Sequence, residues 1–190
     1  MVLPIGIFST FYAVLCYHLY DVVKNFLKYL DETTINDNDV ILKQYLSIRK
    51  LVLEADSELS LLMFMSSLFY ACAMYFGIAS ILHSEDYTSS GSYLSLVTIW
   101  LVFIASNTAF VVMAIFGSLV WETSTDIWEK AQELMNTEQN PTFSQKRFLA
   151  VSEKGLTMTA WKITPVKRSF ILATMGTIFT YCILLDTIAN

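Results

Sequence analysis

The chain has 190 residues, of which 55% are hydrophobic and only 15% charged, whereas a soluble domain ordinarily carries about a quarter charged residues. The formal net charge of −5 argues against a nucleic-acid partner, which calls for basic patches. The three cysteines, Cys16, Cys72 and Cys182, each sit inside an apolar block and read as small hydrophobes, not as a disulfide framework.

The apolar residues come in long charge-free blocks, each comparable to the roughly 20 residues that cross about 30 Å of hydrocarbon. The first predicted span covers about residues 1–23, opening on MVLPIGIFSTFYAVLCYHLY. No basic residue precedes it, so it is not a secretory signal peptide. Asp21 and Lys24 at its inner end read as an interfacial pair. An acidic turn, DETTINDND, follows; it lacks the spacing and terminal glutamate of a calcium loop and reads as solvated.

Residues 40–58 predict an amphipathic cytosolic helix. Ile41, Tyr45, Ile48, Val52, Ala55 and Leu59 recur at alternating steps of four and three, with Asn38 or Asp39 as its cap. The stripe fits packing within the chain and packing between subunits. The second span, 59–82, continues directly from this helix. After the short connection 83–92, the third span covers 93–120 and extends into a cytosolic segment, 121–135, with Ile127, Trp128 and Leu134 on one side. Asn140-Pro141 marks a turn. Residues 142–163 then carry helix-like spacing at Phe143, Phe148, Val151 and Met158. Thr164-Pro165 breaks the chain again, and the proline suits the first turn of a new helix. The fourth span, 169–189, would rise about 32 Å.

The fold class is therefore an all-α membrane protein: one helical domain over 1–190, with four transmembrane helices and cytosolic helical extensions. All twelve Lys and Arg lie in the two long connections. The positive-inside rule puts those connections in the cytosol and the C-terminus outside the cell. There is no glycine-rich phosphate loop, no HExxH motif and no Cys/His cluster, so neither an enzyme nor a metal or cofactor site is expected. His18 and His83 read as structural.

Polar and aromatic groups within the spans are the remaining functional signals. Ser106 and Asn107 lie mid-span and fit either interhelical hydrogen bonds or ligand contact. Tyr70, Tyr75, Tyr93, Trp100 and Phe103 crowd the outer halves of spans two and three. Such residues form interface belts or line an outward-facing pocket. The candidate pocket set is Tyr70, Tyr75, Trp100, Phe103 and Asn107.

Residues 154–188, KGLTMTAWKITPVKRSFILATMGTIFTYCILLDTI, resemble the C-terminal signature of the arthropod gustatory and odorant receptor superfamily. In that family a cytosolic half-helix leads through a basic turn into the last transmembrane helix. That helix ends in Thr-Tyr, five mostly hydrophobic residues and Gln-Phe. Thr180-Tyr181 matches the first pair, followed by Cys182, Ile183, Leu184 and Leu185. The pattern breaks at the fifth position, Asp186, and at Thr187-Ile188, where the family has Gln-Phe.

The resemblance implies a seven-helix chemosensory receptor of the plasma membrane that assembles as a homo- or hetero-tetrameric ligand-gated cation channel. Its last helices would line the shared pore, and its cytosolic helices would pack together. Partners would be a small-molecule tastant or odorant, cations and membrane lipid. This chain would correspond to helices 4–7, a fragment lacking the first three spans. Thr177, Tyr181, Leu184 and Ile188 fall near one face of the last helix. Leu184, Thr187 and Ile188 are expected to border the pore, with Leu184 and Ile188 as a dewetting gate and Asp186 or Thr187 as the ion contact. The alternative is a non-conducting four-helix accessory or structural protein that binds partners through its cytosolic helices.

Overall fold

The computed structural model describes residues 2–32, 38–82, 93–137 and 142–189. The centre of the acidic turn, the connection 83–92 with His83, and Asn140-Pro141 lie outside the described residues. Three long helices dominate: α1 (Val2–Glu32), α2 (Asn38–Leu82) and α3 (Tyr93–Thr137). A short helix, α4 (Phe143–Ser152), and a two-stranded ladder lead into a last helix, α5 (Arg168–Ala189). The protein is an all-α membrane protein. Its three long helices are long and apolar enough to cross a bilayer, and Arg168–Leu184 forms a shorter apolar helix.

Each apolar block is continuous with the polar helix beside it. No Pro or Gly interrupts α2 between Asn38 and Phe76, so nothing breaks its hydrogen-bond ladder. At 45 residues it rises about 67 Å, about twice the hydrocarbon thickness. It is therefore longer than one crossing needs, and the stripe along its polar half faces inward. Ile41, Tyr45, Val52 and Leu59 are buried, and Ile48 and Ala55 are half-buried against the same core.

The stripe packs within the chain. Tyr45 lies 5.8 Å from the ring of Phe26 on α1 and 5.3 Å from Phe148 on α4, the latter nearly perpendicular. Ile127 and Ala131 of α3 complete this polar-end core. Lys130 of α3 reaches Asp31 of α1 at 3.1 Å. α2 begins at Asn38, with Asp39 in its first turn; the Asp39 carboxylate accepts a hydrogen bond from the Ser144 hydroxyl of α4. Towards the polar end of α1, Lys24 Nζ donates to Tyr20 OH at 2.9 Å and Asp21 accepts from Asn25 at 3.3 Å. Asp21 and Lys24 thus each also make an i,i+4 contact within α1.

The helix expected over 142–163 covers only Phe143–Ser152. It starts on a capping box: Thr142 Oγ1 accepts from Gln145 N, and Gln145 Oε1 accepts from Thr142 N at 2.6 Å. It stops just before Gly155, whose φ of +62° suits glycine, and the Trp121 ring lies 2.7 Å from where a Cβ would stand. Phe143 is 78% exposed, while Met158, in the same apparent spacing, is buried beyond the helix. β1 (Thr159–Ala160) then pairs antiparallel with β2 (Thr164–Pro165), with Ala160 opposite Thr164. Thr164-Pro165 therefore closes a hairpin, and α5 begins at Arg168.

Candidate functional site

A groove of about 610 Å³ runs between the apolar halves of α1 and α3. Small side chains open it: Gly6, Ser9, Thr10 and Ala13 on α1 face Ala105, Thr108 and Ala109 on α3. These positions recur at three- and four-residue steps, which places them along one face of each helix. Tyr17 and Phe116 wall one end, their rings 6.1 Å apart and perpendicular. The volume lies in the range of small-molecule sites, which are mostly apolar with a few polar groups fixing orientation.

Three of those polar groups are serine and threonine hydroxyls whose protons are already spent. Thr10 donates to Gly6 O at 3.0 Å and Thr108 to Ile104 O at 2.9 Å. Ser9 donates to Ile5 O at 2.8 Å and lies 2.5 Å from Tyr70 OH. Their oxygens keep acceptor capacity, so the groove is set to accept hydrogen bonds from a neutral donor. Aliphatic surface fills the rest.

Of the five residues expected to form a pocket, Trp100, Phe103 and Asn107 meet on α3, and Tyr70 and Tyr75 lie on α2. Tyr70 is buried and joins the groove from behind through Ser9. Phe103 lies over Gly77 of α2, its ring occupying the place a Cβ would take. Trp100 stands perpendicular to Phe103 at 6.1 Å. Tyr75 is half-buried beside Phe76, at 5.7 Å between rings. Asn107 donates to Phe103 O at 2.8 Å, within its own helix. Among the described residues, none of the five lines the groove wall. The signal that could have found the wall was the small-residue spacing in the first and third spans, Gly6-Ser9-Thr10-Ala13 and Ala105-Thr108-Ala109.

The last helix has two sides. Phe170, Ile171, Met175 and Ile178 pack on the core, and Cys182 is buried further along that face. Thr177, Thr180, Tyr181 and Leu184 are exposed, Tyr181 at 58% and Leu184 at 51%. Thr187 donates to Ile183 O at 2.8 Å. The side chains of Asp186 and Ile188 lie outside the described residues. At the base of α5, Arg168 grips Glu122 of α3 through two contacts of 2.6 and 2.7 Å. Beside it, Lys167 Nζ stands 3.8 Å above the Trp121 ring.

A family of known proteins, described as the trehalose receptor family, matches residues 37–190. The chain belongs to the trehalose receptor family. The family consists of insect gustatory receptors, and the match bears out the resemblance drawn from Thr180-Tyr181 and the residues before it. It extends that resemblance back through α3 and α2 to the stretch before Asn38. No curated protein matches the chain. Family membership and three long apolar helices together make this a membrane protein of gustatory-receptor type.

Proposed function

We propose that the chain acts as a chemosensory receptor subunit whose α5 helices, contributed by several copies, line a cation pore opened by a small tastant. The observation that carries this reading is the division of α5. One face is packed on the bundle, and the Thr177, Tyr181, Leu184 stripe has no cover within the described chain. Repeated around an axis, that stripe gives a narrow apolar ring at Leu184, and apolar constrictions gate by dewetting. Ile188 belongs to the same gate, and Asp186 or Thr187 supplies the ion contact. In this reading α5 is a fourth span, the subunits form a tetramer in the plasma membrane, and the C-terminus is extracellular. Leu46 and Leu53, exposed on the water-side half of α2, support contact between copies, since such residues are costly to leave in water.

The α1–α3 groove is the ligand site in this proposal. Tyr17 and Phe116 would take the apolar face of a small neutral polyol, and the threonine and serine oxygens would accept from its hydroxyls. A sugar of the trehalose kind is the first ligand to try, because the family carries that name.

The test is electrical. The chain is expressed alone, and also joined behind the first three spans of another receptor of this family, and currents are recorded as sugars are applied. The expected result is a sugar-evoked cation current whose selectivity or conductance falls in Asp186→Asn. An unchanged current in that variant removes Asp186 from the permeation path. A stable surface protein that never conducts favours the accessory-subunit reading.

A further inference from the structure

The hairpin between α4 and α5 is pinned to α2 where that helix turns apolar. Trp161 N–H donates to Ser60 O at 2.7 Å. Thr159 N–H and its hydroxyl donate to Asp56 Oδ1 at 2.6 and 2.9 Å. Asp56 and Glu58 are the last charges before the charge-free run 59–82. The Trp161 ring lies 5.0 Å from Phe64, one helical turn farther into that run, or about 6 Å. The hairpin tip therefore sits at the level where headgroups meet hydrocarbon, on the side of the polar helices.

At that level the tip presents an exposed Trp161 (50%), Lys162 and Ile163 (71%). Tryptophan settles at the headgroup boundary, lysine lays its stem along apolar surface while its ammonium stays wet, and isoleucine suits the acyl edge. The backbone supplies a second, independent observation. Trp161 and Lys162 both adopt left-handed φ, 50° and 56°, where Gly, Asn or Asp would sit with less strain. Non-ideal turn residues held in such geometry point to a use for their side chains.

We propose that Trp161-Lys162-Ile163 is an interfacial wedge, seated in the headgroup layer of the leaflet facing the polar helices. It fixes the base of α5 to the bilayer surface. Lipid fits this surface better than a second copy of the chain. Between Glu153 and Asp186 every charged residue is basic: Lys154, Lys162, Lys167 and Arg168. Two tips in contact would oppose lysine with lysine, whereas anionic headgroups attract them.

The test reconstitutes the full chain in vesicles of phosphatidylcholine and phosphatidylserine, with bromine carried at a shallow or a deep acyl position. Emission is compared with that of a Trp161→Asn/Lys162→Gly double variant, so the difference spectrum reports Trp161 with the other tryptophans untouched. The double variant relieves left-handed strain and is expected to melt in detergent no lower than the parent. The Trp161 component is expected to be blue-shifted, and quenched more by shallow than by deep bromine. Quenching by aqueous iodide with no effect of bromine would place the tip in water and overturn the proposal. Protection from both quenchers would place it under protein, with the same consequence.

Discussion

Asp56 is buried where the polar half of α2 meets its apolar half, and its carboxylate accepts from both the amide and the hydroxyl of Thr159. A buried carboxylate is tolerated because these donors replace its water. Asp56→Ala is expected to lower stability by about 2–3 kcal/mol, in line with hydrogen bonds to charged groups, read as a lower melting temperature in detergent. Thr159→Ala keeps the amide bond and should cost about 1 kcal/mol. Equal, negligible losses would mean that the carboxylate does not hold the hairpin. Nothing in the sequence marked this pairing, because Asp56 and Thr159 are 103 positions apart. Thr180-Tyr181, by contrast, was legible as a local motif. The groove wall was half-legible: small residues at helical spacing were visible, but which helices would face one another was not. The fold uses Phe103 to pack over Gly77 and Tyr70 to anchor Ser9.

At the scale of elements, periodicity carried the most. The four-and-three stripe of α2 is buried or half-buried and α3 runs unbroken past Trp121, each long enough for its period to be read. α4 and the hairpin were obscured because Phe143, Phe148, Val151 and Met158 belong to two elements that happen to share a spacing. The cap was readable in Thr142-x-x-Gln145, and Gly155 marks the stop. Phe148 joins α4 to both Phe26 and Tyr45. Phe148→Ala is therefore expected to cost about 3–5 kcal/mol and to loosen α4 first, seen as faster amide exchange over Phe143–Ser152 than over α3. Uniform loss of protection along the whole chain would instead mean that the polar-end core melts as one unit.

For the whole molecule, the proposed orientation follows from where the basic residues lie. A cysteine introduced at Ser89, and another at Asn190, are both expected to react with a membrane-impermeant maleimide applied outside intact cells. Reaction only after permeabilisation would invert the topology. The pore is the larger claim, and cysteine scanning of α5 tests it most directly. A water-soluble cationic thiol reagent is applied while current flows through the receptor, with cysteines placed one at a time along the helix. The account predicts block at Thr177, Tyr181 and Leu184, strongest in the open state, and no block at Ile171, Met175 and Ile178, which face the bundle. Block at the packed positions with none on the exposed stripe would contradict it.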